Sequence, residues 1–405
     1  MAPRKTHPLV WLLAIVPFGA VGGFTGVVLA YLATQRGLTV EEGASLIAAG
    51  MLPHTGKFLW APLVDMTLSR RTWYAISSAL CAVGILAMAA IPLGPDTLHL
   101  LRIVIFTVNL ATTTLGMAIE GQMAHLTAPE DRGRAGGWFQ AGNLGGNGIG
   151  GGLGLWMATQ LPAPWMSGAV LGAAFLACGV PAMLLPDVPR EGSRRGPVGA
   201  VVDLVQDFWG IVRSANGFLA ALICFLPIGT GAATGVLAQS EIAAKWGAGE
   251  AEVGLVNGVL AGVIMAVGSL AGGEICKRVA PRVVYAAVGA LMAGVAMAMA
   301  AAPTTPTTFI AGGLAYAAVT GLAYAAFTGL VLETIGAGAA ATKYNVFASL
   351  SNTPITYMGL LLASAVTAWG PAGMLLTEAG AGFAGIALFL VATAVVRRRP
   401  AALAA

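Results

Sequence analysis

Charged clusters and Pro/Gly punctuation divide the chain into twelve apolar runs, each near the roughly 20 residues that a helix needs to cross a bilayer. They lie at about 9–34, 43–64, 73–92, 99–123, 135–158, 165–186, 216–240, 253–273, 283–302, 309–333, 344–368 and 373–396. Lipid offers no hydrogen bonds, so a spanning segment has to satisfy its own backbone, and for runs of this length that means helices. Composition closes off the soluble alternative. Only 9% of the 405 residues are charged and 57% are hydrophobic, too few polar groups to coat a water-facing surface. The same numbers exclude disorder, a coiled coil and a disulfide scaffold. Twelve spans consume roughly 250 positions, leaving room for short loops and no additional soluble domain. The expected class is an all-α polytopic membrane protein with 12 transmembrane helices. The first run follows Arg4 and Lys5 and is longer than the apolar core of a signal peptide, so it reads as a retained first helix.

Basic residues set the orientation. With the N-terminus inside, the outer loops hold only Arg36 and Lys245, and Lys57 and Arg102 fall within spans. The other 17 of the 21 Lys and Arg then lie in inner segments. That asymmetry places both termini in the cytoplasm. It also explains the net charge of +4 through membrane orientation, with no nucleic acid as partner. The Ala/Gly-rich composition and short loops point to a bacterial inner membrane.

The longest polar stretch begins at Asp187 and continues as Val198 to Val212, where Val201, Leu204, Val205, Phe208, Trp209 and Val212 recur at helical spacing. It reads as a linker carrying an amphipathic helix on the inner surface. The expected organisation is therefore a six-helix bundle over 1–186, a cytoplasmic linker over 187–215 and a second six-helix bundle over 216–405.

Charge placement repeats between the halves. Asp65 precedes Arg70 and Arg71 after span two, and Glu274 precedes Lys277 and Arg278 after span eight. Spans four and ten each end in an acid, Glu120 and Glu333, before a short basic loop. Matched halves around a central linker are the organisation of a two-half transporter.

At these residues the sequence resembles the major facilitator superfamily, whose loop between helices two and three carries an acid-then-basic signature. The resemblance implies two pseudo-symmetric six-helix bundles. A narrower likeness, to AmpG-type muropeptide permeases and acetyl-coenzyme A transporters, rests on three stretches. These are Pro53 to Asp65 (PHTGKFLWAPLVD), Pro129 to Gly142 (PEDRGRAGGWFQAG) and Ala341 to Leu350 (ATKYNVFASL). It implies import of a muropeptide-like solute. The fifth span, Gly142 to Gly151, is similar to the signature of antiporters in the same superfamily and implies export. Direction stays open.

Polar side chains inside lipid are expensive and face a cavity or a partner. Asn109, Thr113, Gly116 and Glu120 share one helical face, as do Gln140, Asn143 and Asn147 in span five. Tyr316, Thr320, Tyr324 and Thr328 form a stripe in span ten, and Asn345, Ser349, Asn352 and Thr356 one in span eleven. Each stripe either lines a path for a polar solute or joins helices by hydrogen bonds. Counting back from Asp65 at 1.5 Å per residue puts Lys57 about 12 Å and His54 about 16 Å deep. Lys57 is a candidate to hold an anionic group or to pair with Glu120. His54 is either a proton carrier or a packing histidine. Glu120, Glu333 and Asp65 serve either proton coupling or ion pairs with inner arginines such as Arg70 and Arg71. Arg102 either snorkels or attracts anions.

Gly146 to Gly151 matches G-x-G-x-x-G, but that motif requires a preceding strand and a soluble βαβ unit. Glycines at this density instead allow close helix approach. The chain has no P-loop motif, so coupling to protons or a solute gradient is expected. Cys81, Cys178, Cys224 and Cys276 are not spaced as metal ligands, and neither cofactor nor metal is called for. An intramembrane acyltransferase would need a nucleophile–base or metal cluster that four scattered histidines and four cysteines do not make. The reading is a monomeric secondary transporter, not an enzyme, moving a polar or anionic organic solute with protons. The alternative is a proton-antiporting exporter of amphipathic compounds. Reporter fusions at the two ends should both respond as cytoplasmic; ends on opposite sides of the membrane would refute the even number of crossings.

Overall fold

The computed structural model describes residues 6–397, apart from 30–31, 34–35, 37, 39, 189–195, 239 and 336–339. The described regular structure is helical throughout. It begins with α1 (Leu9–Gly23), which runs on through a π turn at Phe24–Leu29. α2 (Val40–Gly56), a 3₁₀ turn at Lys57–Leu59 and α3 (Ala61–Met66) follow. Then come α4 (Arg70–Ala90), α5 (Leu98–Leu126), α6 (Arg132–Gly148), a π stretch at Ile149–Leu153, α7 (Gly154–Gln160) and α8 (Trp165–Met183). The amphipathic α9 (Gly196–Arg213) leads to the short helices α10 (Ala215–Ile223), α11 (Ala233–Leu237) and α12 (Ser240–Ala244). The remainder is α13 (Glu250–Asn257), α14 (Val259–Arg278), α15 (Pro281–Ala301), α16 (Pro306–Ile335), α17 (Ala340–Leu350) and α18 (Asn352–Arg397).

Local chemistry fixes several of these boundaries. The Ser69 and Ser214 hydroxyls accept from the amides of Thr72 and Gly217, starting α4 and α10. Pro281 opens α15, where its missing N–H costs nothing. The long α18 is kinked at Gly370, whose φ of 71° is left-handed backbone that glycine adopts without strain.

Among the described residues, eight continuous helical runs are long and apolar enough to cross a membrane. The twelve runs of the sequence map onto fewer for two reasons. The second is broken after the 3₁₀ turn and the seventh between α10 and α11, while the fifth continues through its π stretch but is too rich in glycine, asparagine and glutamine to count as apolar. The eleventh and twelfth are joined through Gly370. Large apolar side chains turned outward, such as Leu360 and Val391, have lipid as their solvent.

Contacts group the described residues into two units. One comprises Met1–Asp131, Trp138–Gly192 and Ala337–Asn345; the other comprises Arg132–Gly137, Ser193–Gly336 and Val346–Ala405. In the first unit α2 and α4 pack on α5, and α4 on α8. In the second, α14 and α15 pack on α16, and α15 on α18. The pairing of helices thus repeats after six spans, as the charge placement does.

The glycine-dense fifth span lies against α1. A methyl group built at Gly142 would collide with the Leu12 carbonyl, and one at Gly23 with the Asn147 carbonyl. Backbone meets backbone there, which is the use of small residues expected where lipid removes the hydrophobic drive between helices. Gly142→Val should lower stability by at least about 1–3 kcal/mol. Gly26→Ala, with open space around the added methyl, should stay near wild type. Thermal unfolding in detergent checks both.

Candidate functional site

The break in the second span creates the site. Gly56 ends α2, the chain tightens into the 3₁₀ turn, and Trp60 leads into α3 with Pro62 near its start. This turn carries Lys57, which is 9% exposed.

Lys57 lies within electrostatic reach of Glu120 on α5 and of His54 one turn earlier. Among the described residues its ammonium has no hydrogen-bond acceptor. Trp60, at the end of the same turn, has a buried indole N–H that likewise lacks an acceptor among the described residues. A buried donor without an acceptor costs about 1–3 kcal/mol. The turn therefore presents unsatisfied donors suited to a carboxylate, phosphate or carbonyl oxygen.

The acid opposite is well held. Glu120, buried on α5, accepts from Asn345 Nδ2 at 2.6 Å. Asn345 belongs to the first unit together with the start of α17. One turn above Lys57, the His54 ring meets Asn109 Oδ1 at 3.1 Å. Asn109 Nδ2 donates to the Ile105 carbonyl at 2.9 Å, so its oxygen faces the ring. That oxygen can only accept, which makes His54 Nε2 the protonated nitrogen. Phe18 packs edge-on against the same ring, with centroids 5.2 Å apart. Lys57, His54, Asn109, Glu120 and Asn345, far apart in sequence, form one polar cluster.

A second cluster sits at the end of α3. Asp65 is 2% exposed and accepts from Arg70 Nη2 at 2.9 Å. Its other oxygen accepts from the Thr342 amide and hydroxyl at 2.8 and 2.7 Å. Arg71 donates to the Leu185 carbonyl near the end of α8, and Arg102 Nε donates to Ser45 Oγ at 2.9 Å. Both arginines are thus engaged by neutral oxygens. Thr113 turns back to the Leu110 carbonyl, and Asn143 donates to Gln140 at 3.0 Å.

The remaining candidates lie in the second unit. Tyr316 is fully buried and donates to Glu378 Oε2 at 2.6 Å. Thr320 and Tyr324 continue its stripe, half-buried. Ser349 Oγ is buried with no partner among the described residues. Asn352 is exposed, and Glu333 is exposed beside the charges of Arg282 and Arg132. Sequence reasoning placed no weight on Trp60 or Thr342. Both fall in stretches quoted for their likeness to permeases, and neither residue type advertises a buried donor. No group of three or more His, Cys, Asp or Glu capable of holding a metal occurs among the described residues.

Residues 10–354 match the family model described as the Major Facilitator Superfamily. No curated protein sequence matches the chain significantly. Solved structures do. The human organic anion transporter MFSD10 (TETRAN) superposes with TM-score 0.71 at 17% identity, over 96% of this chain and 100% of that one. The E. coli fucose:proton symporter FucP gives 0.71 at 15% identity, over 97% and 99%. The proton:xylose symporter XylE gives 0.65 at 12%, over 95% of each.

Asp65→Ala should cost about 3–5 kcal/mol, because it removes the carboxylate that pairs with the buried Arg70 guanidinium and accepts from Thr342. Adding Arg70→Ala should recover part of that loss. A double-mutant cycle on thermal unfolding measures the coupling, and strictly additive effects would contradict the pairing.

Proposed function

The chain belongs to the major facilitator superfamily, and on that footing we propose that it carries a polar or anionic organic solute across a bacterial inner membrane, coupled to protons. It is a multi-pass membrane protein and a secondary transporter of that superfamily, not an enzyme. Alternating access is the mode of action in this proposal, with both termini cytoplasmic.

One observation carries the solute class. Lys57 is a largely buried cation on the 3₁₀ turn, with no hydrogen-bond acceptor among the described residues, and the buried indole N–H of Trp60 at the end of that turn also lacks one among them. An anionic oxygen supplies what both donors lack. Glu120 and Lys57 together form a neutral pair when the site is empty. When the Lys57 charge turns to an anionic ligand, the Glu120 carboxylate loses its partner and takes up a proton more readily. Proton and anion binding are thereby linked through one ammonium. Asn109 and His54 add donors and acceptors at the next turn.

Similar structures support this reading: one is described as an organic anion transporter and two as proton symporters. The narrower expectation of a muropeptide-like solute rests on the likeness at Pro53 to Asp65, Pro129 to Gly142 and Ala341 to Leu350. The glycine-rich fifth span favours the second reading, an antiporting exporter. Both readings use the same lysine and acid and differ in the sign of proton movement.

A thermal-shift screen of organic anions, peptides and amino sugars on the purified protein should find a stabilising ligand, worth about 2.7 kcal/mol at 100 times its Kd. In proteoliposomes, Lys57→Ala should reduce counterflow of that ligand about tenfold or more, the loss of one charge-assisted hydrogen bond. Glu120→Gln should retain counterflow and lose accumulation driven by a pH gradient. Counterflow unaffected by Lys57→Ala removes the site assignment. Proton movement with the ligand indicates import; movement against it indicates the exporter.

A further inference from the structure

The seventh span is broken between α10 and α11 in the second unit. α10 stops at Ile223 and α11 starts at Ala233. Between them lie Pro227, which cannot donate a backbone hydrogen bond, and Gly229 and Gly231, both with φ of 61°. Side chains other than glycine rarely adopt that backbone. The stretch is therefore written into the sequence as non-helical. In a membrane, such a break persists where protein groups or a water-filled cavity take up its freed N–H and C=O groups.

Two helices supply those groups. Tyr285 on α15 donates its hydroxyl to the Ile228 carbonyl at 3.1 Å. Glu378 on α18 accepts from the Ala233 amide at 3.3 Å and from the Thr230 hydroxyl at 3.4 Å, both at Oε1. Its Oε2 accepts from Tyr316 at 2.6 Å. Glu378 is 4% exposed and Tyr316 0%. Glu378 lies eight residues beyond the kink at Gly370, about 12 Å of helix.

All three donors on this carboxylate are neutral. Of the titratable side chains on the elements packed around it, Tyr316 alone bonds it. Tyr285 is committed to Ile228, and Cys224 to the carbonyls of Ala220 and Phe347. Tyr324 lies two turns further along α16. Arg282, at the start of α15, is bonded to Asn216, and Glu333 faces it. Among the described residues no lysine, arginine or histidine forms an ion pair with Glu378. A buried acid held by neutral hydrogen-bond donors, with no basic side chain paired to it, can be neutralised in place by a proton.

We propose that Glu378 is a proton-binding site of the second unit, distinct from the Lys57–Glu120 pair, and that its charge state controls the break at 224–232. The ionised carboxylate accepts from Ala233, Thr230 and Tyr316 and holds the break in place. Transfer of a proton from hydronium to Oε2 releases water and turns one acceptor into a donor. Oε2 then donates to the Tyr316 oxygen, the Tyr316 hydroxyl turns away, and the hold on Thr230 and Ala233 through Oε1 weakens with the loss of charge. Because Tyr316 begins the stripe that continues through Thr320 and Tyr324, protonation also changes what that stripe offers. The site is independent of which solute the protein moves and of whether Lys57 binds it.

The test uses the full chain reconstituted in lipid, with protons as the only ligand. Infrared difference spectra between acidic and alkaline buffer should contain a buried carboxylic C=O band that disappears in Glu378→Gln and persists in Glu120→Gln. In Tyr316→Phe the band should move to higher frequency, because the carboxyl loses a hydrogen-bonding partner. Hydrogen exchange of the 229–234 amides, corrected for its intrinsic pH dependence, should be faster at acid pH by roughly tenfold, the loss of one charge-assisted bond. Glu378→Gln should show the fast value at every pH. A difference spectrum identical in wild type and Glu378→Gln overturns the proposal, because Glu378 then never changes charge. If Glu378→Gln fails to fold, the band shift in Tyr316→Phe decides alone, and an unmoved band overturns it. Loss of the Lys57 transport phenotype would refute the solute site and leave this result standing.

Discussion

Lipid cannot hydrogen-bond the backbone, and the rest of this structure follows from that constraint. Long helices answer it over most of the chain. Where they are interrupted, at Lys57–Leu59 and between Ile223 and Ala233, protein groups must do what water would do elsewhere. At the second break the answer is visible atom by atom, in Tyr285 on one carbonyl and Glu378 on an amide and a hydroxyl. At the first, the buried Trp60 indole N–H has no acceptor among the described residues.

The buried charges follow the same logic. A charge in a low-dielectric interior survives when it is paired or supplied with several hydrogen bonds. Asp65 has a guanidinium, an amide and a hydroxyl. Glu120 has the Asn345 amide and the field of Lys57. Glu378 has three neutral donors. Asp65 is tied to a guanidinium, Glu120 shares the charge of Lys57, and Glu378 is met by neutral donors.

Packing by backbone contact is the third consequence. Lipid tails compete evenly with leucine for a helix surface, so association depends on close approach. Gly142 against Leu12 and Gly23 against Asn147 achieve it in the first unit, and Gly321 against Met265 in the second. The glycine-rich fifth span, which carries a nucleotide-binding pattern by coincidence, is explained by this contact.

Hydropathy, the bias of lysine and arginine and the repeat of acids before paired bases determined the helical membrane class, the amphipathic α9 and the family. These properties are local and periodic, so they survive in a linear string. The polar stripes were legible as periodicities too, and Lys57 with Glu120 as a pair of depths. Which member of a stripe meets which partner was decided only in three dimensions. Asn345 meets Glu120 across 225 positions, Thr342 meets Asp65 across 277, and Tyr316 and Thr230 converge on Glu378. A single acid in an apolar run looks the same in sequence whether it faces solvent, a cavity or three donors. Burial and hydrogen bonding are properties of the packed neighbours, and the sequence of one helix does not contain them.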